Sequence, residues 1–368
     1  MEKILFDLIE SKSSKKIHYK EFIETALYHP TKGYYQRNVI KIGKNGDFYT
    51  SSNVGDVFGR TLGRWFAYCL GNFSIEPVIV ELGGGTGKIA QNILSFMKTH
   101  HPTLLEKLKY IIVEKSQHHQ NIQKQLLSKW NQVEFYTNIE SLGELNGIIF
   151  SNELFDAFPV HVIEKRQNIY YEVWIVKGEN GLEEHLEPLS DKGILDYLKT
   201  YDIKLKNNQR LEIPLPMMDF YESLVQKLER GILLSVDYGY TNEEWNDSLH
   251  REGSLRGYYQ HKMIRDVLKH PGEMDITHHI HWDSLMQCGL NYGFQYNLLM
   301  EQTEFLISCG ILKDLEETFD PNPFSEASKR NRAIRSLLMP GGISSYFRAL
   351  VQCKNVKGCD RNLFPEKV

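Results

Sequence analysis

Between Val78 and Leu94 the chain reads VIVELGGGTGKIAQNIL: an apolar run, an acidic residue, four glycines within five positions, then an amphipathic pattern. Glycines directly after a strand let the backbone turn with positive φ and let a ligand approach bare peptide groups. Three ligand classes compete for such a loop. A triphosphate-binding P-loop needs G-x-x-x-x-G-K-[ST]. Gly87-Lys88 supplies its GK pair, but Leu82 stands at the first glycine position and Ile89 replaces the hydroxyl residue that would meet magnesium. A dinucleotide fingerprint needs G-x-G-x-x-G, and counted from Gly83 its third glycine falls on Lys88. What remains is Glu81-x-Gly83-x-Gly85-x-Gly87, acid included. A carboxylate there suits a ligand with a cationic end and repels phosphate.

This pattern resembles the first motif of class I S-adenosylmethionine (SAM)-dependent methyltransferases, whose cofactor carries an amino-acid tail and a sulfonium. The plain alternative is a glycine-rich turn used only for packing. Glu114 ends YIIVEKS, where a carboxylate can accept hydrogen bonds from two ribose hydroxyls, or can be a solvated strand end. Asn138, in EFYTNIE, either touches adenine or is a polar loop residue.

Further motifs narrow the resemblance. GIIFSNELFDAFPVHVIEK, GDFYTSS at Gly46 to Ser52, SVDYGY, GSLRGYYQHK and PGEMDITHH together resemble the MidA-like family of SAM-dependent methyltransferases, over about Lys20 to Cys353. That family includes a mitochondrial complex I assembly factor that methylates a subunit arginine. The resemblance implies SAM as cofactor, a class I methyltransferase sheet, a protein arginine as acceptor, and a cap built from the N-terminal segment and an insertion. Gly46 and Asp47, with Phe48 and Tyr49, are expected to cover the cofactor as a lid. Where the family commonly carries Pro-Glu, this chain has Ser52-Asn53, so a role for that glutamate does not carry over. Asn152 and Glu153 fall at the carboxyl-end crevice of the sheet, where a bound SAM would present its methyl. Glu153 and Asp156 offer carboxylates to a guanidinium, and the alternative is that Glu153 only caps a helix. Asp237 is open between a turn-forming and a functional role. His279 fits the family's histidine and is a candidate to position substrate or accept a proton. No metal is expected in THHIHW, because adjacent histidines on a strand point to opposite faces. A small-molecule N- or O-methyltransferase and a SAM-binding assembly factor without turnover are the rival readings.

The elements that must position these residues follow from apolar patterning. Short Val- and Ile-rich runs at Val78 to Leu82, Tyr110 to Glu114, Val133 to Tyr136, Gly147 to Ser151 and Ile232 to Asp237 read as strands buried on both faces. Helical patterns at Lys88 to Thr99 and Gln117 to Trp130 separate the first three, which gives βαβαβ. The prediction is an α/β, doubly wound, mostly parallel seven-stranded sheet, closed by strands from Asn291 to Leu298 and Tyr346 to Cys353. About eighty residues between the fourth and fifth strands exceed one crossover helix and predict an α+β insertion. The expected division is 1–74 as an N-terminal helical and lid segment, 75–160 with 231–353 as the SAM-binding core, 161–230 as an inserted cap, and 354–368 as a tail.

The composition bounds the rest. With 368 residues, 24% charged and a formal net charge of -4, the chain offers no general attraction to nucleic acid or an anionic membrane. No apolar run approaches a membrane span. Five scattered cysteines without a C-x-x-C predict no disulfide framework and a cytoplasmic protein. The expected partner is a protein substrate, without nucleic acid or membrane, and a homodimer is allowed.

Overall fold

The computed structural model describes residues 1–37, 55–247, 250–260, 262–315, 322, 324–339 and 346–365. The chain opens with α1 (Glu2–Ser11), β1 (Lys16–His18) and α2 (Tyr19–Tyr28), and α3 (Val57–Asn72) follows. Next come β2 (Val78–Leu82), α4 (Lys88–His100), β3 (Lys109–Val113), β4 (Val133–Tyr136) and β5 (Leu145–Asn152). A second group, β6 (His161–Arg166), β7 (Ile169–Lys177), β8 (Leu182–Pro188) and β9 (Gln209–Ile213), precedes the long β10 (Leu228–Tyr240). Then come β11 (Arg256–Tyr259), β12 (Lys262–Ile264), β13 (Asp275–Thr277), β14 (Ile280–His281), β15 (Tyr296–Glu301) and β16 (Phe347–Lys354).

The central sheet runs in the order β15-β16-β10-β5-β2-β3-β4. The pairs from β10 to β4 are all parallel, and β16 is antiparallel to both neighbours. It is a mixed sheet of an α/β fold. It has eight strands where seven were expected, because Ile280 and His281 pair in parallel with Gly239 and Tyr240 at the end of β10. The apolar side chains of β2 divide by strand alternation. Ile79 joins the cluster with α3 and α4, while Val80 and Leu82 join the cluster on the other face. Of the two closing strands, β16 lies near its expected place, whereas the other starts at Tyr296, after the helix Trp282–Asn291.

The interval between β5 and β10 holds an antiparallel sheet, β1-β7-β6-β9 with β8 beside β7. Its edge strand β1 comes from the N-terminal segment, with Ile17 opposite Ile175. The two regions share one apolar cluster, in which Leu5, Ile17, Phe22 and Ile23 pack with Val160, Val162, Val173 and Ile175. By contrast, α3 packs in the cluster of the central sheet. The unpaired cysteines expected from their spacing are corrected at one point, where Cys353 at the end of β16 and Cys359 after the following turn form a disulfide.

Parallel packing of β5 on β2 leaves no room for a side chain at Gly147, which has φ 147°. A Cβ there would lie 2.4 Å from the Val78 carbonyl oxygen. Gly147→Ala is therefore expected to lower the unfolding free energy by about 2–4 kcal/mol, measured by urea denaturation. A change below about 0.5 kcal/mol, the usual range of surface substitutions, would contradict this packing.

Candidate active site

The glycine loop follows β2, and Gly83, Gly85 and Gly87 all take positive φ, at 67°, 52° and 80°. Gly87 caps α4, which starts at Lys88. Among the described residues a Cβ on Gly85 would meet no atom within 4 Å, so the loop presents bare backbone to the space beside it. That space is a cavity of about 1270 Å³ lined by Gly83, Gly84, Gly85, Glu114, Asn138, Asn152, Glu153 and Asp156. Its volume exceeds that of a usual small-molecule pocket and admits a nucleoside cofactor together with an acceptor side chain.

Glu114 sits at the end of β3, almost buried. One carboxylate oxygen accepts the Gly85 amide at 3.1 Å and the other the Ser116 amide at 2.8 Å. The same residue therefore shapes the glycine loop and reaches the cavity. Asn138 also lines the cavity, but its Oδ1 accepts the Ser141 amide and hydroxyl at 3.0 and 2.8 Å, capping a short turn.

Two cofactor residues named from sequence do not reach this wall. Glu81 lies on the Ile79 face of β2, and neither it nor Gly87 lines the cavity. Its carboxyl is buried, accepts the Tyr110 hydroxyl at 2.7 Å, and is pushed up by burial to about 8. Burial thus favours the neutral acid at a position where the sequence suggested a charge for a cationic ligand. Gly46 and Asp47, and with them the lid, lie outside the described residues.

At the other side of the cavity β5 ends in a tight reversal. Glu153 has φ 51°, an uncommon conformation for a side-chain-bearing residue. Its amide donates to the Val236 carbonyl at 2.9 Å, and its Oε1 accepts from Asn152 Nδ2 at 2.9 Å. Among the described residues, Asn152 Oδ1 is buried without a hydrogen-bond partner. The reversal is held by Asp237, fully buried at the end of β10. Asp237 Oδ2 accepts the amides of Leu154, Phe155 and Asp156 at 3.2, 2.8 and 3.3 Å, and Oδ1 accepts the Tyr238 amide at 2.8 Å. The ambiguity over Asp237 resolves as a turn-holding carboxylate. Glu153 follows a strand and precedes a three-residue 3-10 turn, Phe155–Ala157, which removes the helix-cap alternative.

Asp156 is buried, and its carboxyl is raised well above the usual range by burial and by the charges of Asp237, Asp275 and Glu153. Burial also raises Asp237, and its four amide hydrogen bonds oppose that rise. Asp275, on β13, accepts the Tyr35 hydroxyl at 2.7 Å. Tyr28, Tyr35, Phe158, Phe220 and Tyr238 add aromatic surface to the same cavity. Sequence reasoning passed over Tyr28, Tyr35 and Asp275, although the first two flank HPTKGY and the third lies in PGEMDITHH.

His279 does not line the cavity. Its Nε2 meets the Arg256 guanidinium. Since arginine only donates, that nitrogen is occupied as an acceptor. Burial and the Arg256 charge hold the ring well below its ordinary pKa. His279, expected to position substrate or accept a proton, here faces Arg256 instead of the cavity, and the Arg256 guanidinium lies 5.5 Å from the centre of the Tyr238 ring. Among the described residues, neither His278 nor His279 belongs to a convergent set of metal-ligating side chains.

An α/β sheet with bare glycines after its first core strand, a carboxylate after the second, and a cavity spanning both defines a nucleoside-cofactor enzyme of methyltransferase-like fold. Residues 61–298 match the family described as "Putative S-adenosyl-L-methionine-dependent methyltransferase", and the chain belongs to that family. It is 25% identical over 365 residues to a zebrafish (Danio rerio) protein named protein arginine methyltransferase NDUFAF7, mitochondrial, covering 89% of this chain and 81% of that one. The human protein of the same name is 25% identical over 356 residues, covering 88% and 76%. A crystal structure from Burkholderia thailandensis, bound to S-adenosyl-homocysteine, superposes with a TM-score of 0.86 at 24% identity, covering 97% of this chain and 92% of that one. The protein is a SAM-dependent methyltransferase, similar to the MidA-like proteins. The cytoplasmic location expected from composition is overturned, since these curated relatives are named mitochondrial. Among the described residues no helix is long and apolar enough to cross a membrane.

Among the described residues the site fits SAM on its own features: space where Gly85 would carry a Cβ, a buried Asn152 Oδ1 without a hydrogen-bond partner, and a carboxylate at the end of β3.

Glu81 supplies a pH test. A carboxyl raised from 4.5 to about 8 on folding binds more protons folded than unfolded, so its stabilisation is complete below pH 4.5 and is lost as pH rises through 8. Glu81→Gln keeps an acceptor for Tyr110 and should flatten that decline, leaving the variant more stable than wild type at pH 9 by a few kcal/mol, on the order of 1.4 per pKa unit. Urea denaturation between pH 5 and 9 checks this. Parallel stability profiles for the two proteins would show that Glu81 is ionised when folded.

Proposed function

We propose that this methyltransferase acts on an arginine side chain of a protein substrate. The observation that carries the reading is the gathering of Glu153, Asp156 and Asp275 with tyrosine rings on the wall of the cavity that holds the glycine loop. Such crowding raises Asp156, and an entering guanidinium would offset it through charge-assisted hydrogen bonds and cation–π contact. The relatives named protein arginine methyltransferase support the same acceptor.

On this reading, SAM bound against Gly83 and Gly85 supplies an electrophilic methyl group. Glu114 holds its ribose, Asn138 and Asn152 offer polar contacts, and the backbone amides of the loop face its amino-acid end. Glu153 aligns the guanidinium and takes the proton that the accepting nitrogen must release. Asp156 and Asp275 add negative potential, and Tyr35 fixes Asp275. Catalysis is then proximity and electrostatic alignment, without a covalent enzyme intermediate. Residues 75–160 and 231–353 form the SAM-binding core and also carry Glu153, Asp156 and Asp275, while 161–230 with the N-terminal elements cap the acceptor side.

Incubating the protein with methyl-labelled SAM and extract from its own source, then mapping the label by mass spectrometry, tests the acceptor. Label on arginine is the expected outcome, and label only on a small molecule or another residue type overturns it. Glu153→Gln preserves shape but removes charge, and is expected to slow single-turnover transfer about a hundred- to a thousandfold while leaving SAM affinity unchanged. Near wild-type transfer would remove Glu153 from the reaction.

The ribose assignment has its own check. Glu114→Gln should weaken S-adenosyl-homocysteine by about 1.5–3 kcal/mol in calorimetry. Equal affinity in both proteins would reduce Glu114 to a support for Gly85.

A further inference from the structure

A second cavity, of about 830 Å³, opens on the other side of α2 and is lined by His18, His161 and Trp174. Three strands converge at its floor. His18 on β1 lies opposite Trp174 on β7, and β6 pairs with the same edge of β7, Ile163 opposite Glu172, so that His161 comes up beside His18 while β8 takes the other edge. Glu172 lies two residues from Trp174 on β7 and so shares its face. Glu172 Oε1 consequently meets His18 Nδ1 at 2.7 Å and His161 Nδ1 at 2.9 Å. The ligand-capable atoms of the three side chains lie within 4.8 Å of one another, and two of the three residues are buried. Burial would raise Glu172, but the bonds from His161 and His18 bring it down to about 2.

We propose that His18, His161 and Glu172 form a binding site for a divalent transition-metal ion of the zinc class, with its open coordination position toward the second cavity. Two imidazoles and a carboxylate are borderline donors suited to zinc. Without the ion each Nδ1–H donates to Glu172 Oε1; binding the ion displaces those two protons, leaving each ring protonated on Nε2 with its Nδ1 lone pair on the ion. Bond lengths of about 2.0–2.2 Å around a tetrahedral ion place donor atoms roughly 3.3 Å apart, so the two contacts to Glu172 Oε1, at 2.7 and 2.9 Å, would widen by tenths of an ångström. The cavity gives the ion a path in and leaves room for water as a further ligand. Nearby positive charge is restrained, because the Lys16 ammonium pairs with Glu187 and lies over the Trp174 ring. His18 immediately precedes α2, which carries Lys20, Glu24 and Tyr28 to the wall of the first cavity. The ion would clip that helix to β6 and β7.

The full-length protein, stripped by chelator, is titrated with ZnCl2 by calorimetry, and CoCl2 is added separately to follow the visible absorption of a nitrogen- and oxygen-ligated ion. One saturable equivalent is expected, with a rise in the thermal midpoint. Glu172→Gln and His18→Ser should weaken zinc by more than about a hundredfold, beyond the ten- to hundredfold typical of losing an outer partner. Serine is a favoured helix cap, so His18→Ser should keep the fold, shown by unchanged S-adenosyl-homocysteine binding. The proposal is overturned if the wild type takes up no saturable zinc or if folded His18→Ser binds it as tightly. In either case the three side chains are only a hydrogen-bonded cluster.

Discussion

The buried carboxylate of Asp237 is the constraint from which the reaction side of the cavity follows. A strand that reverses at its end leaves amides without ladder partners, and buried amides must find acceptors. Asp237 takes those of Leu154, Phe155 and Asp156, and its neighbour Val236 accepts that of Glu153. Four consecutive residues of one strand end are thus hung from the adjacent strand. This over-determination permits φ 51° at Glu153, a conformation that costs on the order of 1–3 kcal/mol when unsupported. It also sets the Asp156 side chain into a carboxylate-rich wall. The strain and the charge crowding therefore have one origin.

That crowding is partly balanced from outside the cavity. Arg256 lowers the cost of an ionised Asp156, and its guanidinium is fixed by His279 and by the face of Tyr238. A neutral histidine serves here better than a charged one, because only a neutral ring can accept from arginine. Arg256 is a fixed cation beside Glu153, Asp156, Asp237 and Asp275, of which burial pushes Asp156 and Asp237 toward the neutral acid. The residual negative potential is what a cationic acceptor would meet, on the proposed reading, and a neutral hydroxyl acceptor would gain little from it.

The strand, glycine turn and helix around the loop were legible in the sequence because their signals are local. A short apolar run, a cluster of glycines and an amphipathic stretch specify strand, turn and helix within one segment, and Glu114 falls at the next strand end by the same logic. Glu81 shows where such reading stops. A motif fixes a residue type, whereas alternation along the strand fixes the face, and Glu81 shares its face with Ile79 rather than with the cavity. Asp275, Tyr28 and Tyr35 could not be grouped in advance, since they come from β13, α2 and the segment after it. The pairing of β14 with β10 rests on two residues, too few to leave a periodic signal. His18 and Glu172 are 154 positions apart, and only the β1–β7 register joins them.

That register also decides how the two sides of the cavity relate. The parallel strands β2, β3 and β5 are covered on both faces, so their side chains are committed to packing and the glycine loop has little latitude. The reaction side instead borrows α2, whose position depends on β1 joining the edge of the inserted sheet. Pairing at a sheet edge is made by main-chain hydrogen bonds and tolerates many side chains. Residues on α2 and in the insertion can therefore change while the loop after β2 and the carboxylate after β3 stay fixed. The cofactor wall is thus built from the buried parallel sheet alone, whereas the acceptor wall joins carboxylates after β5 of that sheet to α2, which an edge-paired antiparallel sheet holds.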